Sequence, residues 1–352
     1  MSNRLTNGTN KATAALDPDR KSVEIRLVSE PVAGMERMGF GLSKLMRLPS
    51  GAERQRLLDT VYDQGIRHFD VARMYGLGAS EKELGKLLRS KRTQVTVATK
   101  FGIEPTLATR YLSSLQAPVR WLFTKLPGLK ASATGTHQPL YRPKRFTPDS
   151  LRASLDMSLR QLGTDYVDIL FLHEPMPGDY IADELSDSLK DLQTQGKIRR
   201  FGMSSTANSL MSLIRQHPDL TAVLQFDNDA TGRQINRLPL PPHSRLFTFA
   251  PFATALPVVQ SRCEQVPSVV NNVAESTGVD LRSHQEQVRL LLSYAFHANP
   301  RGTVVFASTN IHHIAAVAKH VRSELIGEDR VRLILEELGL LHIDAGVRVG
   351  GS

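Results

Sequence analysis

The chain has 352 residues, 41% of them hydrophobic, enough for one large domain or two small ones with a full core. Its single cysteine, Cys263, excludes an internal disulfide and any cysteine-based metal cluster, and no run of about 18 apolar residues could span a membrane. The net charge of +9 invites a nucleic-acid reading, but seven Lys/Arg against one acid, Glu104, put a local +6 between Ile103 and Phe146, so most of the excess belongs to one segment.

Residues 1–22 are polar and Thr/Asn-rich, and read as a disordered tail without the apolar core of a signal peptide. A cytoplasmic location is therefore expected. Val23 to Val28 alternates weakly, as in a small hairpin under a barrel. Met38-Gly39-Phe40-Gly41-Leu42 reads as a first strand whose glycines allow close approach to a ligand, which makes Gly41 and Leu42 binding candidates.

From Ala52 helices and strands alternate. Ala52 to Gln64 presents Leu57, Leu58 and Val61 on one face and stops at Gly65. A second strand ends at Asp70, and Tyr75-Gly76 follows where the chain must turn. Ser80 with Glu83 three residues on predicts a capping box for the next helix. Val95 to Thr99 is a third strand, leading into Lys100.

Ile103 to Phe146 departs from the repeating unit. A connection this long is usually a lid or disordered, and Tyr111, Trp121 and Phe123 are its candidate substrate-side aromatics. Its basic excess leaves two readings open, a solvated lid or an attractor for an anionic cofactor or substrate. Pro148 then starts a helix with Leu151, Leu155, Leu159 and Leu162 along one face, and Gly163 ends it.

The fourth strand, Val167 to Leu172, leads into His173, and Tyr180 to Gln195 is the helix after it. Ile198 to Met203, Ala222 to Phe226, Leu246 to Ala250 and Thr303 to Ala307 read as strands five to eight. Helices are expected over Ser209 to Gln216, Gln285 to His297 and Ile311 to His320, with a terminal helix over Val331 to Leu340. Pro251 to Ser283 reads as an atypical loop.

Eight alternations with near-continuously apolar strands argue a closed (β/α)₈ TIM barrel over residues 23–322, with a long insertion after strand three and a C-terminal helix and tail over 323–352. No Gly-x-Gly-x-x-Gly follows a strand, so a Rossmann domain is not supported. His312 and His313 are adjacent on a helix and point apart, so no metal site is expected there, and a hydrolase reading lacks both clustered metal ligands and a nucleophile elbow.

Asp70, Tyr75, Lys100 and His173 each sit at or just after the C-terminal end of a strand, where a parallel barrel keeps its chemistry. Singly, each has a plain structural reading; together they point to proton transfer. A tyrosine has a reference pKa of about 10, and a neighbouring ammonium makes its proton easier to release. Lys100 would be that ammonium, Asp70 would pair with it, and His173 would orient a carbonyl. Nothing in the sequence can donate hydride, so a cofactor must.

The segments Phe69-Asp70-x-Ala72-x-x-Tyr75-Gly76, Ser80-Glu81-x-x-Leu84-Gly85, Thr99-Lys100-Phe101-Gly102, Leu172-His173-x-Pro175 and Gly196-Lys197-Ile198-Arg199-x-x-Gly202 resemble the aldo-keto reductases, in the family's order, over roughly Gly39 to Lys319. Leu162 to Asp168 with Leu172-His173-Glu174-Pro175 looks most like bacterial members. The resemblance implies Asp70, Tyr75, Lys100 and His173 as the catalytic tetrad, a nicotinamide cofactor, and a small-molecule carbonyl or alcohol substrate, with sugars among them. It implies Ser204 and Gln225 on the carboxamide, with Ser205 where the family has an asparagine.

Phe249-Ala250-Pro251-Phe252-Ala253 replaces the family's Tyr-Ser-Pro-Leu-type loop. Ser308, Thr309 and Asn310 fall where the family holds the adenosine phosphate, without its common Lys or Arg. NADP(H) is expected ahead of NAD(H), by a small margin. The rival reading is a cofactor-binding regulatory subunit of the same fold, like the potassium-channel β subunits; neither a nucleic-acid nor a membrane partner is expected, and the sequence leaves the oligomeric state open.

Overall fold

A computed structural model describes residues 34–106, 141–323 and 325–341. The expectations for the N-terminal tail and hairpin, for Tyr111, Trp121 and Phe123, and for the extreme C-terminus lie outside the described residues.

Eight parallel strands close on one another in sequence order: β1 Met38–Gly41, β2 His68–Asp70, β3 Thr96–Phe101, β4 Val167–His173, β5 Ile198–Ser204, β6 Val223–Asp227, β7 Arg245–Phe249 and β8 Thr303–Phe306. β8 pairs with β1 and completes the barrel. Around it lie α1 Gly51–Asp63, α2 Ala79–Lys91, α3 Pro148–Leu162, α4 Leu185–Thr194, α5 Ala207–Gln216, α6 Ala255–Gln265, α7 Pro267–Thr277, α8 His284–Ala298, α9 Ile311–Ser323 and α10 Glu328–Glu337. This is the (β/α)₈ barrel that the alternation predicts. Among the described residues no helix is long and apolar enough to cross a membrane.

The helix ends follow local chemistry. The Ser50 hydroxyl accepts from the Glu53 amide, and the Glu53 carboxylate accepts from the Ser50 amide, so both orphan donors at the start of α1 are satisfied. Thr147 and Ser150 do the same for α3, with Pro148 at N1 and Gly163 ending the helix at φ 64°.

Three expectations fail, each for a physical reason. Ser80 does not cap α2. Gly78, at φ 91°, stands at the N-cap, Ser80 is buried one residue inside the helix, and the Glu83 carboxylate binds Gln55 and Lys86 instead. The stretch Pro251 to Ser283 is not a loop but holds α6 and α7. Few strong signals mark these helices in the sequence: Pro267 occupies N1 of α7 and Pro257 the first turn of α6, where a missing N–H costs nothing. Val259, Val270 and Val273 bury there in a second apolar cluster with α8 and α10. Finally, α4 starts at Leu185 rather than Tyr180, which stays exposed.

Inside the barrel, Ala98, Ile169, Phe171, Val223, Phe247 and Val305 form a layer of inward side chains. Strand side chains repeat with period two. The next inward positions toward the mouth are therefore Lys100, His173, Gln225, Phe249 and Ala307. β2 follows the same rule, with His68 below Asp70. Register matches Gly41 to Asp70, His173 to Ser204 and Ser204 to Gln225, so the polar residues meet at one level.

His68 lies deep in this interior, its Nδ1 2.9 Å from Thr96 Oγ1 and its ring against Phe247. Burial, with Arg245 and Lys100 adding to it against Asp70, lowers its pKa from 6.5 to about 4. The folded state holds this ring neutral, so its contribution is complete above pH 6.5 and is lost as pH falls from 6.5 to about 4. A change from 6.5 to about 4 corresponds to about 3 kcal/mol. Denaturant melts from pH 7 to pH 4 should show that His68→Leu lacks about that much of the wild type's acid destabilisation; parallel curves would refute the assignment.

Candidate active site

The last residue of β2 presents Asp70 to the barrel mouth, where its Oδ1 accepts from Lys100 Nζ at 2.5 Å. Side-chain exposure is 1% for Lys100 and 6% for Asp70, so each charge depends on the other. Lys100 also donates to Val71 O at 3.2 Å and lies 3.4 Å from Tyr75 Oη. His173, ending β4, meets the Tyr75 ring edge-on with centroids 5.9 Å apart. The four sequence-predicted residues therefore come together.

Gln225 on β6 extends this group. Its Nε2 donates to Asp70 Oδ2 at 2.8 Å, and its Oε1 accepts from Ser204 Oγ at 2.6 Å. The result is one buried chain from Ser204 through Gln225, Asp70 and Lys100 to Tyr75. The link from Gln225 to Asp70 has no sequence signature, because the two lie 155 residues apart.

Electrostatics assign the protonation states. Burial pushes the Tyr75 phenol above its ordinary range; Lys100 pulls it down, Asp70 pushes it up, and the net shift is upward. This departs from the expectation built on Lys100 alone, because burial is invisible in a sequence. Burial would lower Lys100, but Asp70 and Tyr75 outweigh it and the ammonium is held charged. Burial, then Lys100 and Lys144, drive His173 well below the usual imidazole range. At neutral pH the site thus contains a phenol, an ammonium paired with Asp70, and a neutral imidazole whose Nδ1 is buried without a hydrogen-bond partner.

Above these groups opens a cavity of ≈ 620 Å³. Gly41, Ser204, Ser205 and Gln225 line it, and Phe249 to Ala253 form part of its wall. Ser205 Oγ donates to Pro175 O at 2.8 Å. Leu42 is buried outside the lining, and Ser308, Thr309 and Asn310, half-buried to exposed, also lie outside it. Asn310 caps α9 by accepting from the His312 amide at 2.9 Å. The sequence reading missed Lys44 and Glu174, which also line the cavity. Glu174 and Ala250 hold φ of 50° and 60°, rare for side chains other than glycine and concentrated at functional sites. Among the described residues no three His, Cys, Asp or Glu side chains gather as metal ligands.

The model of the aldo/keto reductase family matches residues 37–226, more than half of the chain and the part that carries every residue of the polar chain. The chain belongs to the aldo/keto reductase family. A D-threo-aldose 1-dehydrogenase from a Pseudomonas species is 30% identical over 199 residues, 53% of this chain and 55% of that protein. An NADH-specific methylglyoxal reductase from Escherichia coli is 31% identical over 181 residues, 49% of this chain and 48% of that one. The chain thus spans about half the length of the curated relatives it matches. An aldo-keto reductase from Klebsiella pneumoniae solved with NADPH shares the fold, with a TM-score of 0.59 and 20% identity over 85% of this chain and 90% of that one.

Lys100→Met should leave Asp70 buried with Gln225 as its remaining side-chain partner. Breaking a buried pair this way costs about 3–5 kcal/mol. Adding Asp70→Asn removes the stranded charge and should restore most of the loss. Denaturant midpoints for the two variants test this, and a Lys100→Met protein as stable as wild type would show that the pair is not coupled.

Proposed function

We propose that this chain is an NAD(P)H-dependent oxidoreductase that interconverts an aldehyde or ketone and an alcohol, with Tyr75 as the proton donor. The observation that carries the reading is the convergence of a half-buried phenol, its ammonium and a neutral imidazole under one cavity. A bound nicotinamide supplies the hydride. Tyr75 holds the proton that a carbonyl oxygen needs, and keeps it at neutral pH because its pKa lies above the ordinary range. Lys100 stabilises the phenolate left behind, and Asp70 holds Lys100 in place. His173, neutral, offers an N–H to the carbonyl oxygen and orients it.

The cavity suits a flat amide-bearing ring: Ser204 and Gln225 stand on one wall, Gly41 leaves room beside them, and Gln225 keeps one N–H beyond its bond to Asp70. For the adenosine end, Ser308, Thr309 and Asn310 offer hydroxyls and amides at the start of α9, without a formal charge. Part of that capacity is already used, since the Asn310 amide donates to Ser308 Oγ at 3.1 Å. Neutral bonds contribute roughly 1 kcal/mol each, so a 2′-phosphate gains little. Aldoses belong among the substrates to test, because a D-threo-aldose 1-dehydrogenase is among the relatives.

A screen of aldehydes, ketones and aldoses with both cofactors should find turnover. Both cofactors should work, with NADPH ahead by about tenfold or less, equivalent to about 1.4 kcal/mol. Tyr75→Phe should lose about 100-fold or more in kcat with cofactor affinity unchanged. Wild-type rates in Tyr75→Phe would sink the proton-donor assignment. A folded wild type that binds cofactor but turns nothing over would favour the regulatory-subunit alternative.

A further inference from the structure

We propose that Arg73, acting with Glu104, is a positioning residue for Tyr75, holding the proton-donor loop against Lys100 and tying that loop to the base of the long insertion. The proposal rests on the reductase reading above.

The loop that carries Tyr75 is strained. Gly76, Leu77 and Gly78 follow one another at φ 57°, 57° and 91°. Leucine is disfavoured in that conformation, which persists only where the surroundings impose it. The apolar core holds it only in part, since Tyr75 packs against that core half-buried and Gly76 and Leu77 are only partly buried.

Polar ties do. Arg73, two residues before Tyr75, is almost wholly buried, and its Nη1 donates to Glu81 Oε2 at 2.6 Å. The other oxygen of Glu81 accepts from Thr99 Oγ1 at 2.7 Å, and Thr99 precedes Lys100. One buried carboxylate therefore references both the tyrosine loop and the lysine strand. The Tyr75–Lys100 separation of 3.4 Å is at the long end of a hydrogen bond, so a small shift of the loop would break it.

The second tie runs to the insertion. Arg73 Nε donates to Glu104 Oε2 at 3.3 Å, and Glu104 Oε1 accepts from Ser154 Oγ of α3 at 2.5 Å. Where its two ends are described, the insertion is clipped together: Arg142 N donates to Glu104 O at 2.8 Å, and Pro105 and Tyr141 form an antiparallel bridge. Tyr141 Oη then donates to Met74 O at 3.4 Å. Both ends of the insertion thus reach the two residues that precede Tyr75. Burial would push the Arg73 guanidinium down, but Glu81 and Glu104 more than offset it, so the charge that holds the ties persists.

Arg73, Glu104 and Tyr141 do not line the cavity over the tetrad. Arg73 and Glu104 line a separate cleft of ≈ 500 Å³ with Arg142 and Ser154. Any effect they have on the reaction is therefore indirect, through the Tyr75 loop and its setting against Lys100.

A double-mutant cycle tests the proposal. Glu104→Gln keeps the shape of the side chain and removes the charge that Arg73 meets, at a site exposed enough to fold. It should lower kcat about tenfold in the wild-type background and leave cofactor Kd within about twofold, a split expected when a catalytic group is misplaced. In a Tyr75→Phe background the same change should alter kcat by about twofold or less, because coupled residues are non-additive. Tyr141→Phe, which removes one hydroxyl, should show the same dependence on Tyr75 with a smaller loss. Equal fold-losses in both backgrounds, or an unchanged kcat in folded Glu104→Gln, would overturn the positioning role. Because that outcome is read against measurable wild-type turnover and the Tyr75→Phe loss, it leaves the reductase reading standing.

Discussion

A lysine ammonium buried at the mouth of a barrel needs a counter-charge in contact, and the Asp70–Lys100 pair meets that need at 2.5 Å. The rest of the site follows from this pair. Lys100 reaches Tyr75 because Asp70 holds it there. Gln225 is oriented because the second oxygen of Asp70 accepts its amide, and Ser204 because it donates to Gln225. Lys100 also helps hold His173 neutral. One ion pair thus organises a phenol, an imidazole and the wall beside them.

The barrel makes this possible through register. Each mouth residue stands two positions beyond an inward apolar one: Lys100 above Ala98, His173 above Phe171, Gln225 above Val223. The layer below excludes water and raises the cost of an unpaired charge above it. Chemistry and packing are therefore successive layers of the same strands. The strain lies in the loops between, at Leu77, Glu174 and Ala250.

The strands were legible because a parallel barrel buries both faces of each one, so apolar runs ending in Asp70, Lys100 and His173 stood out. The meeting of Asp70, Tyr75, Lys100 and His173 at one mouth was legible for the same reason. Other features were not. Prolines at the first turns of α6 and α7 look the same in a sequence as prolines in a loop. The left-handed backbone at Ala250 carries no residue signature. Arg73 finds its carboxylates 8 and 31 residues away, on a helix and beyond a strand, a pairing set by topology alone. The direction of the Tyr75 shift depended on burial, which only the folded chain supplies. The departures around Phe249 to Ala253 and Ser308 to Asn310 were visible as substitutions, and the structure places Phe249 to Ala253 on the cavity wall and Ser308 to Asn310 outside its lining.

The central claim is that Tyr75, not His173, carries the transferred proton. The most direct test compares the pH dependence of kcat/KM for carbonyl reduction and for oxidation of the matching alcohol. Reduction needs the phenol, whose pKa lies above the ordinary value of 10.0, so it should hold level through neutral pH and fall only beyond that value. Oxidation needs the phenolate and should climb with pH over the same range. An inflection at or below the ordinary imidazole value of 6.5, with reduction lost above it, would contradict the account and assign the proton to His173.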